Sequence, residues 1–154
     1  MSKAERDAVT AADEDTGWVT VRIGPEGFRT EAAARGHRFA VDEPTEVGGT
    51  DAGPTPYDLL VAAVGACTAM TLRMYANRKG WPLEGAVVRL RHGRSHEADC
   101  EQCAQNRVGI DHIERDVELV GPLTDEQRAR LLAIADRCPV KQTLEAGIKI
   151  RASA

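Results

Sequence analysis

The chain has 154 residues, 42% hydrophobic and 29% charged, with a formal net charge of −4. That length suits one domain with a single core, and aromatics at 4% leave aliphatic side chains to fill it. The mild acidity argues against nucleic acid as a partner, because phosphate binding needs a basic face, and it gives no attraction to an anionic membrane.

Residues 1–16 are polar and acidic, with Glu5, Asp7, Asp13, Glu14 and Asp15. They lack the apolar centre of a secretory signal and are expected to form a disordered lead-in to a single domain over 17–154. The longest apolar run, about Leu59 to Cys67, is followed by Arg73 and is read as too short for a bilayer, which takes roughly 20 residues. Four cysteines without an export signal point to the cytoplasm, where they serve as thiols, redox pairs or metal ligands rather than as a disulfide framework.

Trp18 to Ile23 alternates apolar and polar residues, the pattern of a half-buried strand. Gly24-Pro25-Glu26-Gly27 is a turn, and Phe28 to Ala33 and His37 to Val41 read as two further strands of an antiparallel meander. A loop rich in Gly and Pro, Glu43 to Pro56, leads to the clearest helix. Thr55 is its N-cap, Pro56 suits the first helical position, and Asp58 completes a capping box. From Leu59 to Met70 this helix is apolar on nearly every side, which predicts burial all round. Gly80 stops it.

Ala86 to His92 and Ile113 to Val120 read as an antiparallel strand pair around a polar stretch holding Cys100 and Cys103. Thr124 caps a second helix, with Gln127 as the reciprocal residue of the box. Leu131, Ile134, Ala135 and Cys138 fall on one face of it, and Pro139 breaks or kinks it. A short helix to Ala146 and a last strand, Ile148 to Ile150, are expected to follow. The class is α+β: antiparallel sheets packed on a long buried central helix.

Two readings stand for each helical cysteine. Cys67, deep in an apolar helix, packs as a small hydrophobe, or it reacts if a nearby cation holds its thiolate. Cys138 is a core cysteine at a kink, or it sits at the N-terminus of a new helical turn whose N–H groups favour a thiolate. Two such thiols that meet in the core can act as a peroxidatic and resolving pair, one becoming a sulfenic acid and the other condensing with it.

Gly53-Pro54-Thr55-Pro56-Tyr57-Asp58-Leu59-Leu60 and Ala62-Ala63-Val64-Gly65-Ala66-Cys67-Thr68-Ala69-Met70-Thr71-Leu72 resemble the central helix of the OsmC/Ohr family. Cys138-Pro139-Val140-Lys141-Gln142-Thr143-Leu144 resembles the family's second cysteine motif, and the likeness runs from about Val19 to the C-terminus. The resemblance implies an intertwined homodimer with active sites at its interface. It implies reduction of organic hydroperoxides, in some members also of hydrogen peroxide, with recycling by an external dithiol such as a lipoyl protein. No metal or organic cofactor is implied. Carried over by motif, Cys67 is peroxidatic and Cys138 resolving, and Arg38, in Arg38-Phe39, is the arginine that holds the thiolate, with Arg22, Arg29 and Arg35 as competitors. Ten residues before Cys67, where many members carry a Glu, this chain has Tyr57, which marks a divergent branch.

Cys100 and Cys103 form a single C-x-x-C unit with His96 before it and His112 after it. One such unit signals zinc weakly, and a reversible surface disulfide or solvated thiols are the competing readings. The alternative to the peroxidase is thus a redox-sensing or metal- or ligand-binding protein on the same fold.

Overall fold

The computed structural model describes residues 17–95 and 110–152. The expected lead-in, 1–16, and the residues His96, Cys100 and Cys103 lie outside them. The chain forms two compact units, one ending at Leu59 and one beginning at Leu60.

In the first unit, β1 (Val19–Ile23), β2 (Thr30–Ala34) and β3 (His37–Val41) form the expected meander in the order β1-β2-β3. Arg35 and Gly36 both have positive φ, 48° and 78°, and Ala34 pairs with His37 across them. A two-residue turn of that conformation matches the twist of a hairpin. The register places Val21, Ala32 and Phe39 in one row, and strand alternation puts Val19, Ile23 and Val41 on the same face. Ala32 and Val41 on it are buried, while Val19, Val21 and Ile23 remain exposed.

The loop after β3 contains a 3-10 turn, Thr45–Val47, and is built around Asp42. This carboxylate is only 2% exposed. Its Oδ1 accepts from the Glu43 N–H at 2.8 Å. Its Oδ2 accepts from the Thr50 hydroxyl at 2.6 Å and from the N–H groups of Thr50 at 3.0 Å and Ala52 at 3.2 Å. The loop folds so tightly that a Cβ on Gly49 would stand 1.8 Å from the Glu43 carbonyl oxygen, and one on Gly53 2.3 Å from that of Ala40.

The central helix, α1, spans Pro56–Lys79. The Thr55 hydroxyl accepts from the Asp58 N–H at 3.1 Å, and the Asp58 carboxylate accepts from the Thr55 N–H and hydroxyl, so the predicted box is formed. β4 (Gly85–Ser95) and β5 (Ile110–Val120) pair antiparallel, Gly85 with Val120 through Ser95 with Ile110. They run several residues further than the apolar pattern, and a charged cross-strand pair lies in the extension: Arg94 Nε donates to Asp111 at 3.2 Å. α2 (Asp125–Ala135) carries the complete Thr124–Gln127 box, and α3 (Pro139–Ala146) closes the fold.

The core of the second unit joins Leu72, Ala76, Leu83, Leu123, Leu131, Ile134 and Ala135. Leu72 and Leu131 are fully buried, and truncation of either to Ala is worth about 2–5 kcal/mol.

Three expectations are corrected. From Leu59 to Met70 the helix is not buried all round: Val64, Gly65 and Thr68 are buried, but Leu60 is 37% and Met70 64% exposed, as is Met74 at 73% beyond them. The core of one chain covers one side of an apolar cylinder and leaves the other open. By length and composition α1 is also long and apolar enough to cross a bilayer, contrary to the reading from its longest apolar run; Leu72 and Ala76 on it are nonetheless core residues. Finally, Ile148 to Ile150 is not a strand; Ile150 is 96% exposed and Ile148 59%.

Candidate functional site

Cys67 lies near the middle of α1, half-buried, and Cys138 is fully buried; both are free thiols. α2 ends at Ala135, short of Cys138. The Arg137 N–H still turns back to the Ile134 carbonyl at 2.9 Å, so the apolar face of α2 delivers Cys138 inward without carrying it on the helix itself. Arg115 fixes this junction from β5, donating to the Ala135 carbonyl at 2.9 Å and to the Asp136 carboxylate at 2.7 Å.

Cys138 is the N-cap of α3, with Pro139 at the first helical position. Proline fits there because that N–H has no helical partner to lose. The sulfur lies 3.7 Å from the Val64 carbonyl oxygen on α1, to which its thiol donates. The Cys67 thiol and the Thr68 hydroxyl come from that same helix and lie within reach of it. The two cysteines thus meet in the core, one from the side of a long helix and one from the start of a short helix.

The electrostatics at Cys138 are a balance. Burial pushes its thiol up, since a buried thiolate is poorly solvated. Against this act the Lys141 N–H, the Cys67 thiol, the Thr68 hydroxyl and the Val140 N–H, and together they bring Cys138 below the ordinary thiol range. The two N–H groups belong to the first turn of α3, where unpaired donors point outward. They do not close a cap hydrogen bond of normal geometry, so they act as oriented dipoles rather than as fixed ligands.

Thr68 is 0% exposed and its hydroxyl donates to the Val64 carbonyl at 2.8 Å. Thr71 does the same to the Cys67 carbonyl at 2.8 Å. Gly65, on the buried side of α1, keeps helix and hairpin close, for a Cβ there would stand 2.6 Å from Leu90 Cδ1. Sequence reasoning missed Val64 and Thr68 as members of the site; the available signal was a threonine directly after Cys67 in an otherwise apolar run.

Arg38 is exposed on β3 of the first unit, paired with Ala33, on the sheet face opposite Val21 and Phe39. The cysteine pair belongs to the second unit. Of the competing arginines, Arg29 forms an ion pair with Glu31 and Arg35 occupies the β2–β3 turn. Tyr57 sits in the first turn of α1, 50% exposed. Its neighbour Asp58 is taken up by the cap, and hydrogen bonds from the Thr55 N–H and hydroxyl hold its carboxyl below the usual range. Among the described residues, no group of three His, Cys, Asp or Glu side chains could hold a metal ion. His112, from the zinc reading, faces Glu114 at 3.7 Å.

A long apolar helix carries Cys67, and Cys138 packs against that helix from the start of α3. A family model described as OsmC-like protein matches residues 49–153, which include both cysteines and exclude Arg38, and the chain belongs to that family. No curated protein sequence matches this chain. Among solved structures, an OsmC-like protein from Mycoplasma pneumoniae superposes with a TM-score of 0.67 at 17% identity, covering 86% of this chain and 89% of that one. An organic hydroperoxide resistance protein OsmC from Legionella pneumophila gives 0.58 at 20% identity, over 82% and 87%. An organic hydroperoxide resistance protein from Elizabethkingia anophelis gives 0.59 at 20%, over 80% and 84%. At these identities the likeness establishes the fold.

Proposed function

We propose that the protein is a two-cysteine peroxidase that reduces organic hydroperoxides, with hydrogen peroxide as a second substrate. The observation that carries this reading is the meeting of Cys67 and Cys138, one half-buried and one sealed in the core. The Cys67 sulfur attacks the outer peroxide oxygen, the O–O bond breaks, and the alcohol leaves with a proton. Cys67 is then a sulfenic acid. The Cys138 sulfur attacks it, hydroxide leaves and is protonated to water, and a disulfide joins the two. An external dithiol such as a lipoyl protein returns both thiols and is itself oxidised to a disulfide. No metal or organic cofactor enters these steps.

Arg38 is the proposed cation beside the Cys67 thiolate, since a guanidinium stays charged where an ammonium would titrate. A second copy of the chain is the proposed cover for the open side of α1. Leu60, Met70 and Met74 there, and Val19, Val21 and Ile23 on the sheet of the first unit, leave apolar surface of the kind that subunit interfaces bury.

The test is a thiol titration of the full chain before and after one equivalent of tert-butyl hydroperoxide. Loss of two thiols, abolished in Cys67→Ser, is the expected result; retention of both overturns the reading. Tyr57, standing where relatives carry a carboxylate, favours a second reading in which the pair senses peroxide without turning over. Oxidation that an added dithiol such as dihydrolipoamide fails to reverse would select that second reading.

A further inference from the structure

The Thr68 hydroxyl and the Cys138 thiol share one acceptor. The Val64 carbonyl receives the Thr68 hydroxyl at 2.8 Å and the Cys138 thiol at 3.7 Å. It is also the i−4 carbonyl of the helix at Thr68, so it is already engaged by the backbone ladder. Val64, Thr68 and Cys138 are 4%, 0% and 0% exposed, so these groups are shielded from bulk solvent. A buried hydroxyl has one proton and two lone pairs, and it rotates to whichever acceptor needs it more. While Cys138 is a thiol, the carbonyl is the better acceptor. Once Cys138 is a thiolate it no longer donates to that carbonyl, and the anion is the stronger acceptor.

Resting on the peroxidase reading above, we propose that Thr68 is a positioning residue for the resolving step: its hydroxyl turns from the Val64 carbonyl to the Cys138 sulfur when that sulfur deprotonates, and so holds the thiolate facing Cys67. The carbonyl is not orphaned by the turn, because the backbone ladder still engages it. Thr68 follows Cys67 on the same helix, so the hydroxyl and the sulfur that Cys138 must attack are held by one rigid element. The burial cost of an anion at Cys138 is reduced by a donor that is not needed elsewhere in that state. The lowering of the Cys138 thiol by the Thr68 hydroxyl agrees with this.

The experiment compares Thr68→Val, which replaces the hydroxyl by a methyl, with the pair Thr68→Ser and Thr68→Ala, which differ from each other only in the hydroxyl. Each full-length variant is oxidised with one equivalent of tert-butyl hydroperoxide across pH 5 to 9 (about that range, where thiols titrate) and quenched in time. Intact mass reports disulfide, and dimedone traps sulfenic acid at Cys67. Thr68→Val and Thr68→Ala are expected to shift the midpoint of disulfide closure upward by about one pH unit, a roughly tenfold loss of thiolate below the midpoint, with trapped sulfenic acid accumulating. Thr68→Ser is expected to keep the parent profile. If Thr68→Val fails to fold, the Ser and Ala variants carry the test. A parent-like pH profile in Thr68→Ala, or a profile in Thr68→Ser shifted as far as in Thr68→Ala, overturns the proposal, since the hydroxyl would then not be the agent. A parent protein that forms sulfenic acid but no Cys67–Cys138 disulfide overturns the peroxidase reading itself, and the role of Thr68 with it.

Discussion

Asp42 and Cys138 are both almost completely buried, 2% and 0% exposed, and they are satisfied in opposite ways. Asp42 takes four donors at 2.6 to 3.2 Å. The Thr50 hydroxyl leads, and with the N–H groups of Glu43, Ala52 and Thr50 it outweighs burial and lowers the carboxyl to about 2. Cys138 has a long contact to a carbonyl, two N–H groups outside capping geometry and a hydroxyl engaged elsewhere. A buried charge saturated with donors has one stable state and serves the fold. A buried thiol with few fixed donors is not committed to one protonation state in this way.

The largest effect is expected at the chemical end of that contrast. Cys67→Ser is expected to abolish the proposed hydroperoxide consumption, because a hydroxyl forms no sulfenic acid; full activity in a peroxide-consumption assay would contradict the assignment. Cys138→Ser is expected to complete one turnover and then stop. Its intact mass after peroxide gains oxygen atoms, whereas the parent loses two hydrogens. Arg38→Ala is expected to raise the pH at which iodoacetamide alkylates Cys67 and to slow peroxide reduction in parallel, with Arg38→Lys between it and the parent. An unchanged profile would pass the role to Arg22, Arg29 or Arg35.

The structural end gives smaller effects. Asp42→Asn keeps the shape but turns an NH2 toward N–H donors, and a lower thermal midpoint is expected with the cysteine chemistry retained. The sign of its pH dependence follows from linkage. The folded carboxyl, at about 2, lies below its ordinary 3.8. Its contribution is therefore complete above 3.8 and lost as pH falls through about 2. Acid titration of the thermal midpoint should show that loss in the parent and a flatter acid branch in Asp42→Asn. Smallest is Thr124→Ala, which removes one side of the α2 box at about 1 kcal/mol, measured by urea denaturation.

What the sequence disclosed follows the same division. Local signals were legible: both capping boxes, the meander and the new helix starting at Pro139 depend on residues close in the chain, although α2 already ends at Ala135. The pair Cys67 and Cys138 was legible as a motif, and their meeting as a possibility. The Asp42 knot was not, because its donors come from residues 43, 50 and 52 in a loop whose path no periodicity predicts. The open side of α1 was read as buried because an apolar helix carries no record of which molecule covers each side. The strand predicted at Ile148 to Ile150 failed because alternation alone supplies no neighbour to pair with.

Cys138 is sealed while Cys67 is half-buried, and this asymmetry gives a disulfide between them a direction. In the proposed cycle, the half-buried Cys67 sulfur is the one that a dithiol from solvent would reach. Attack there would expel Cys138, and the Lys141 and Val140 N–H groups and the Thr68 hydroxyl, which lower its thiol, would make it the better leaving group, since exchange runs faster as the departing thiol's pKa falls. The mixed disulfide with the reductant would therefore always form on α1. Cys138 would pass through the whole cycle without meeting solvent or partner, so the burial of one sulfur alone fixes which bond the donor must break.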